Sequence, residues 1–287
     1  MTHSRPAIRE LLESNHLAPR RDLGQNFVAD PNTVRRIADL ARVGPGDRVV
    51  EIGAGLGSLT LALADTGADI TAVEVDRGIV PLLRDVVADR ANVTVVEADA
   101  MDADWNALLH PAGDRAGGPG WVLVANLPYN VATPLVCDLL DGVPQIHRMI
   151  VMVQREAAER FVANPRTPAY GAVSVKVAYW ATGRIVGSVP ASVFVPRPNV
   201  ESSLVEIERR IAPSAAHLAT DPATLFPLVR AGFGQRRKML RRSLDGIVTP
   251  EQFATAGVAP TARPEELDVF AWCRLADAVA TAPADTP

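Results

Sequence analysis

The chain has 287 residues, of which 48% are hydrophobic and 22% are charged, and these proportions exclude a disordered polar chain. At about 150 residues per domain, the length predicts two domains, or one large domain with a small appendage. The formal net charge of −4 excludes a uniformly positive surface, so any binding of nucleic acid must come from a local basic patch.

Cysteines, histidines and apolar runs narrow the class of protein further. The two cysteines, Cys137 and Cys273, cannot form a disulfide framework, and we expect both to be buried small hydrophobic residues in a reducing, cytoplasmic setting. No apolar run approaches the roughly 20 residues of a membrane span, and the first residues lack the apolar stretch of a secretory signal. We therefore expect no membrane partner. The five histidines show no metal-ligand spacing, so we also expect no metal.

The N-terminal part of the chain predicts an arm followed by a helix. Residues 1–23 are polar and are expected to form a partly helical or loosely ordered arm. A helix is predicted to start at Pro31, which suits the first helical position after the capping residue Asp30. Its expected buried face consists of apolar residues at helical spacing: Val34, Ile37, Ala38 and Ala41.

Short apolar runs then alternate with helical patterns. The predicted strands are 48–53, 69–76, 92–99, 120–127 and 148–154. The predicted helices include one that ends at Gly67, one that starts at Pro134, and others over 78–90 and 155–163. This alternation is typical of βαβ units and predicts the α/β class, with a doubly wound, mostly parallel, Rossmann-like sheet that binds ligands at the carboxyl ends of its strands.

The later part of the chain predicts a sheet edge, a linker and a second domain. Two last strands are predicted at 174–181 and 202–208, and they are expected to form an antiparallel edge. Residues 110–120 are expected to be a surface loop rich in Pro and Gly. We expect an α/β domain over 1–210, a linker over 211–222 and a small, all-helical C-terminal domain over 223–287.

A glycine loop directly follows the first of the alternating strands. Its sequence is Glu51-Ile-Gly53-Ala-Gly55-Leu-Gly57, and glycines there let the backbone turn tightly and approach a ligand closely. The spacing G-x-G-x-G differs from the dinucleotide pattern G-x-G-x-x-G. By itself, the loop also suits an ordinary strand-to-helix turn.

Two acidic residues at strand ends favour a nucleoside site beside this loop. Glu74 ends the second strand, about 20 residues after the loop, where a carboxylate can accept both hydroxyls of a ribose. Asp99 ends the third strand and can accept a hydrogen bond from the exocyclic amine of an adenine. The alternatives are an exposed acid at Glu74 and a helix N-cap at Asp99. The sequence has no P-loop, which disfavours hydrolysis of nucleoside triphosphates.

The segment Asn126-Leu127-Pro128-Tyr129 ends the fourth strand and indicates the chemistry. Pro128 favours an extended backbone at Leu127, so the Leu127 carbonyl and the Asn126 side-chain oxygen can face one amino group. Tyr129 can stack on the base that carries this amine. Two acceptors around an adenine N6 can shift it towards a tetrahedral, nucleophilic geometry without a strong base. The alternative is a simple strand end with a core tyrosine.

These segments together resemble the ribosomal RNA adenine N6,N6-dimethyltransferase family, whose members use S-adenosylmethionine (SAM). The matching segments follow the family's order over residues 20–208: GQNFV (24–28), EIGAGLGSLT (51–60), VEVD (73–76), EAD (97–99), NLPYN (126–130) and FVPRPNVESSL (194–204). The combination of NLPY, GQNF and F-x-P-x-P-x-V-x-S is highly specific. Val28 departs from the family, which more often has Leu there, but both residues are apolar.

The resemblance implies a reaction and a set of site residues. The reaction is dimethylation of two adjacent adenines near the 3′ end of small-subunit (16S) rRNA, within an assembling 30S particle, by a monomer that contributes to ribosome maturation. The cofactor would be held at its methionine end by Asn26, the Val28 backbone, Gly53 and Gly55, at its ribose by Glu74, and at its adenine by Asp99.

The resemblance also implies roles for the catalytic segment. Asn126 would touch both SAM and the target N6, together with its neighbours Leu127 and Pro128. Tyr129 and Phe194 would sandwich the flipped target adenine. Phe194 equally suits an apolar plug in a Pro-rich bend.

A basic run after residue 229 predicts contact with RNA. It contains six cations and no acid before Asp245: Arg230, Arg236, Arg237, Lys238, Arg241 and Arg242. On a net-acidic protein, such a run favours a phosphate-binding face over the usual alternative of a solvated helix face.

Three other functions remain open from the sequence. Methylation of large-subunit rRNA, as in the antibiotic-resistance branch of the superfamily, uses the same motifs, although the helical extension after residue 222 favours the small-subunit branch. A non-catalytic RNA-binding assembly factor would have no chemical need for Glu74, Asp99 and NLPY. An NAD-dependent oxidoreductase is disfavoured by the glycine spacing.

Overall fold

The computed structural model of the chain describes residues 2–109, 120–210 and 220–281. Residues 110–119 of the loop expected at 110–120 and residues 211–219 of the linker expected at 211–222 therefore lie outside the described residues.

Within the described residues, nine strands form two sheets. The strands are β1 (Phe27–Val28), β2 (Arg48–Ile52), β3 (Asp69–Glu74), β4 (Val93–Glu97), β5 (Trp121–Asn126), β6 (Ile146–Gln154), β7 (Ala181–Val189), β8 (Phe194–Val195) and β9 (Ser202–Arg209). The large sheet has the order β4-β3-β2-β5-β6-β9-β7, and β1 pairs with β8 in a small antiparallel sheet.

The described part of the chain also contains twelve α-helices. These are α1 (Arg5–Ser14), α2 (Pro31–Ala41), α3 (Ser58–Ala64), α4 (Val80–Val86), α5 (Trp105–Leu109), α6 (Ala132–Gly142), α7 (Arg155–Val162), α8 (Ala172–Trp180), α9 (Pro222–Gly234), α10 (Leu240–Ser243), α11 (Pro250–Ala256) and α12 (Val269–Ala280). As predicted, α2 begins after Asp30, whose side chain accepts a hydrogen bond from the Thr33 N–H.

The predicted doubly wound α/β sheet is confirmed. β2 pairs in parallel with β3 and β5, and the parallel arrangement extends to β4 and β6. β9 pairs with β6 in the antiparallel sense and lies between β6 and β7, so the antiparallel edge expected between 174–181 and 202–208 is wrong, because residues 172–180 are helical. Because parallel strands run in one direction, their carboxyl ends meet at one edge of the sheet, where Glu74 ends β3 and Asn126 ends β5.

The strand predicted at 174–181 is wrong, because residues Ala172–Trp180 form helix α8. The β-branched Val residues favour a strand locally, but Val175 and Tyr179 lie four residues apart and both pack into a helical core. Ser174 stabilises the start of the helix, since its Oγ accepts a hydrogen bond from the Gly171 N–H and donates one to the Arg160 carbonyl. Tertiary packing thus overrides local β propensity.

The chain divides into two compact units. One comprises Met1–Ala158 and Arg184–Glu208, and the other comprises Glu159–Gly183 and Arg209–Pro287. This grouping differs from the boundary expected at residue 210, because Tyr170 and Tyr179 share a hydrophobic cluster with Trp272 in the second unit. The helices after residue 222 belong to that second unit.

The two cysteines lie in different units, Cys137 in the first and Cys273 in the second. Both are buried, as predicted.

The N-terminal arm begins with an ordered helix. In α1, Ile8 and Leu12 are buried against Phe27 and Leu56 of the first unit. The His3 ring nitrogen Nε2 lies 2.9 Å from the Leu56 carbonyl oxygen, which adds a polar contact to this packing.

A search of the described residues finds no helix of the length and apolarity that a bilayer crossing requires. Over the same residues, no group of three or more His, Cys, Asp or Glu side chains is arranged to hold a metal ion.

Candidate active site

A cavity of about 860 Å³, counted with its open mouth, lies at the carboxyl edge of the large sheet. Most of its lining comes from four stretches of the first unit: 23–28, 51–59, 74–75 and 126–129. In a doubly wound sheet, ligands bind in the crevice at the carboxyl ends of the strands, so the position of this cavity suits a small-molecule ligand.

The glycine loop forms one wall of the cavity. Gly53 and Gly55 line it and have φ angles of +72° and +55°, which favour glycine. A Cβ atom on Gly55 would also lie 3.1 Å from the Phe27 ring, so close packing keeps this residue small. The loop is therefore more than a strand-to-helix turn, because its backbone faces the cavity.

Glu74 supports the same loop from the end of β3. Its Oε2 accepts a hydrogen bond from the Gly55 N–H over 2.7 Å, and its Oε1 accepts one from the Asp76 N–H over 2.9 Å. A carboxylate has about four lone-pair sites, so two remain for ligand hydroxyls. Burial raises the pKa of Glu74, and the backbone hydrogen bonds oppose this rise. The side chain is buried, which excludes the alternative of an exposed acid.

Glu51, to which the sequence reasoning assigned no role, is a second buried acid in the lining. Its exposed fraction is 1%, and its Oε2 has no hydrogen-bond partner among the described residues. Burial, with a smaller contribution from the charge of Glu74, raises the pKa of Glu51 to about 8. A buried carboxyl with one oxygen lacking a partner suits a ligand group that is cationic or donates a hydrogen bond. The sequence did contain a signal for Glu51, because a charged residue stood within a strand that was expected to be buried on both faces.

Hydrogen bonds fix the GQNF segment over the cavity. Gln25 Nε2 donates to Asp76 Oδ2 over 2.7 Å, and Gln25 Oε1 accepts from the Arg20 N–H over 2.8 Å. Asn26 Nδ2 donates to the Gly24 carbonyl over 3.0 Å. The sequence reasoning missed Gln25 and Asp76, because their contact joins residues 51 positions apart.

Asn126 is oriented by the GQNF segment. Its Nδ2 donates to the Asn26 carbonyl over 2.9 Å, which leaves its side-chain oxygen as an acceptor. The Leu127 N–H donates to the Met152 carbonyl of β6 over 3.1 Å, so the backbone stays attached to the sheet one residue beyond the end of β5. Asn126, Leu127 and Pro128 all line the cavity, as does Tyr129.

Tyr129 is half-buried at the cavity, with its hydroxyl against β9. Its Oη lies 2.7 Å from Ser202 Oγ, a distance at which either hydroxyl donates to the other. Burial raises the pKa of Tyr129, so the phenol stays neutral at physiological pH.

Two predicted site residues do not line the cavity. Asp99 is exposed after β4, and its Oδ1 accepts a hydrogen bond from the Met101 N–H over 2.9 Å. Phe194 has no exposed surface and packs in a core cluster with Val28 and Leu204. Stacking on Phe194 would require its ring to be uncovered, so this conformation matches the alternative of an apolar plug.

The basic run lies in the second unit and is not one continuous helix. It covers the end of α9, the turn at 235–239 and the helix α10. Arg236 differs from the others, because its Nε donates to Glu265 over 2.6 Å and its Nη2 donates to the Pro168 carbonyl over 2.9 Å. The other five cations are exposed: Arg230, Arg237, Lys238, Arg241 and Arg242.

The fold and the cavity define a class of protein. An NAD-dependent oxidoreductase needs the G-x-G-x-x-G spacing, which the loop at 53–57 does not have. Here the lining of the cavity at the carboxyl edge of the sheet includes Asn126, whose side-chain oxygen remains available as an acceptor. This arrangement is that of a SAM-dependent methyltransferase.

Comparison with known proteins shows the family. The sequence model of the ribosomal RNA adenine dimethylase family matches residues 17–281, and the chain belongs to this family. It is 43% identical to the ribosomal RNA small subunit methyltransferase A of Cutibacterium acnes, over 96% of this chain and 94% of that protein. It is 41% identical to the protein of the same name from Bifidobacterium longum, over 95% of this chain and 92% of that protein.

Solved structures agree with this assignment. The crystal structure of the 23S rRNA methyltransferase ErmE matches with a TM-score of 0.65 and 25% identity, over 89% of this chain and 100% of that one. A dimethyladenosine transferase from Plasmodium falciparum matches with a TM-score of 0.68, over 86% of this chain and 94% of that one; at 22% identity it supports the fold alone. The predicted enzyme class is confirmed: the protein is a SAM-dependent rRNA adenine dimethyltransferase.

Proposed function

We propose that the protein dimethylates N6 of two adjacent adenines near the 3′ end of small-subunit rRNA, within an assembling 30S particle in the cytoplasm. The observation that carries this proposal is the contact between Asn126 and Asn26, because it uses the Asn126 amide nitrogen and leaves its oxygen as an acceptor in a cavity lining that also includes Tyr129. The small-subunit assignment is supported by relatives at 41–43% identity that carry the name ribosomal RNA small subunit methyltransferase A.

The lining of the cavity fits SAM, which supplies an electrophilic methyl group when it is bound. Glu74 keeps two lone-pair sites for the ribose hydroxyls after its hydrogen bonds to the loop. The free oxygen of Glu51 suits the methionine end with its ammonium group, which Asn26, Val28, Gly53 and Gly55 of the same lining would also flank. Asp99 keeps its Oδ2 for the adenine amine, since Oδ1 is used by the Met101 N–H.

The segment 126–129 would hold the target base. The side-chain oxygen of Asn126 and the carbonyl of Leu127 accept the two N–H groups of N6 and orient its lone pair. Pro128 restricts the backbone at Leu127, and Tyr129 stacks on the adenine ring. The enzyme needs no strong base, because the N6 proton becomes acidic once nitrogen carries the new bond. The same pair of acceptors can hold the monomethylated amine for a second transfer.

The exposed cations of the second unit would contact RNA phosphates. Arg230, Arg237, Lys238, Arg241 and Arg242 present positive charge to solvent on a protein whose net charge is negative. Arg236 would serve the structure of the unit instead, through its bonds to Glu265 and Pro168.

Methylation of large-subunit rRNA is the second candidate, because the fold also matches the 23S rRNA methyltransferase ErmE. To distinguish the two substrates, the protein is incubated with radiolabelled SAM and either small subunits that lack adenine dimethylation or large subunits. We expect the label in the rRNA of the small subunits. Label in the large-subunit rRNA alone would replace the proposed substrate with the second candidate.

A further inference from the structure

The first residue of β9 meets the catalytic segment at the carboxyl edge of the sheet. Ser202 is paired in register with Gln154, the last residue of β6, and β6 also pairs with β5, which ends at Asn126. Because β9 runs antiparallel to β6, its beginning lies at the edge where the other strands end. Two segments 73 residues apart in sequence, NLPY and the end of F-x-P-x-P-x-V-x-S, are thereby joined by the Tyr129–Ser202 contact.

The contact holds the far end of the tyrosine ring. Ser202 is fully buried, and its Oγ lies 2.7 Å from Tyr129 Oη. Tyr129 itself is only half-buried, in a turn immediately outside the sheet. A bond at the hydroxyl restricts rotation about the two side-chain torsions, so it sets the plane that the ring presents to the cavity.

Packing alone would not require this polar pair. A phenylalanine opposite an alanine would fill similar space, and replacing both partners of a buried hydrogen bond by apolar groups is often nearly neutral for stability. Orientation of the ring is the property that such a replacement would lose. A displacement of a positioned group by about 1 Å can cost about 100-fold in rate.

We propose that Ser202 is a positioning residue for methyl transfer, because its hydroxyl fixes the Tyr129 ring in the plane that stacks on the target adenine. This inference rests on the proposed function, in which Tyr129 binds that base. Ser202 does not line the cavity, so it acts through Tyr129 alone.

A double-mutant cycle tests the proposal with full-length protein, SAM and small subunits that lack adenine dimethylation. The variants are Ser202→Ala, Tyr129→Phe and the double variant; Tyr129→Phe removes the hydrogen bond without changing the buried strand. Ser203→Ala is the matched control, because Ser203 is the next residue of β9, is also buried, and points to the opposite face of the sheet.

Each single variant should lower kcat by about 3- to 10-fold, which matches the net worth of one hydrogen bond. The double variant should be no slower than either single one, and Ser203→Ala should keep the wild-type kcat. The dissociation constant for SAM should stay unchanged throughout, whereas a merely structural defect at the sheet edge would weaken SAM binding as well. Additive losses, or wild-type kcat in Tyr129→Phe, would overturn the positioning role.

A Tyr129→Ala variant separates this result from failure of the proposed function. If Tyr129→Ala is inactive while Tyr129→Phe and Ser202→Ala are fully active, the base-binding role survives and only the positioning role is overturned. If Tyr129→Ala retains the wild-type rate, Tyr129 does not bind the base, and both ideas are overturned.

Discussion

Gln25 donates a hydrogen bond to Asp76 over 2.7 Å, and this contact ties the GQNF segment to the chain just after β3. Asp76 is itself buried, and the backbone N–H of the same residue donates to Glu74. These contacts link the segment that holds Asn126, through Asn26, to the carboxylate that supports the glycine loop, Glu74.

Loss of the Gln25 side chain should weaken SAM binding, because Gln25 anchors the segment that carries Asn26. In Gln25→Ala, the segment that carries Asn26 loses its anchor on Asp76, and we expect the dissociation constant for SAM to rise by about 3- to 10-fold. Calorimetric titration measures this. Gln145→Ala is the control, because Gln145 also makes a side-chain hydrogen bond, to Asn106, but does not line the cavity. Equal effects of the two substitutions would contradict the anchoring role.

Removal of the Glu74 carboxylate should have a larger effect on the same constant. In Glu74→Ala, the proposed ribose acceptor and the support of the Gly55 N–H are lost together. Hydrogen bonds to charged groups are worth about 1.5–3 kcal/mol, so SAM affinity should fall by about 10- to 100-fold. Glu97 lies opposite Glu74 in the register of β3 and β4 but is exposed, so Glu97→Ala should bind SAM normally. A Glu74→Ala variant that folds and binds SAM like the wild type would remove Glu74 from the site.

Glu51 should make the free protein less stable as the pH rises. Its pKa is about 8 in the folded state and near 4.5 when unfolded, so between these values the folded protein holds a proton that the unfolded chain has released. The free energy of unfolding should therefore fall with rising pH, by up to about 1.4 kcal/mol per unit from this residue. Glu51→Gln should remove that slope. Urea unfolding of the wild type and Glu51→Gln from pH 5.5 to 7.5 isolates the effect, because the other titrating groups contribute equally to both proteins. Parallel plots of the free energy of unfolding against pH would contradict the prediction.

Charge reversal in the basic run should weaken RNA binding and leave SAM binding intact. We predict this for Arg237→Glu with Lys238→Glu, because both side chains are exposed. Each lost phosphate contact should flatten the plot of log affinity against log salt by about 0.7–0.9 units. Arg35→Glu with Arg84→Glu changes the net charge equally, at exposed positions of the first unit. Equal losses of RNA affinity in the two double variants would indicate an effect of overall net charge rather than a phosphate-binding surface.

Arg236 should behave differently from its basic neighbours. Its side chain is held by Glu265 and the Pro168 carbonyl, so Arg236→Ala should lower the stability of the protein more than Arg237→Ala does. Thermal unfolding of the two variants measures the difference. A larger loss of stability in Arg237→Ala would show that the internal contacts of Arg236 do not matter for folding.

Local patterns in the sequence predicted the parts of the site that lie on single elements. The glycine loop, Glu74 and the segment 126–129 each follow a strand whose apolar run is visible in the sequence, and all of them line the cavity. The contacts of Gln25 with Asp76 and of Tyr129 with Ser202 could not be predicted, because they join distant segments whose spacing only the folded sheet defines. The helix over 172–180 was missed for the same reason: its partners lie in the helices after residue 222.

The central claim is that Asn126 presents an acceptor to the N6 of adjacent adenines in small-subunit rRNA. The most direct measurement is base-resolved mass spectrometry of rRNA from undermodified small subunits after incubation with SAM and either wild-type protein or Asn126→Ala. The wild type should produce N6,N6-dimethyladenosine at two adjacent positions near the 3′ end. Asn126→Ala should produce neither, although it still binds the subunit. Dimethylation by Asn126→Ala at the wild-type rate, or wild-type methylation confined to other nucleotides, would contradict the account.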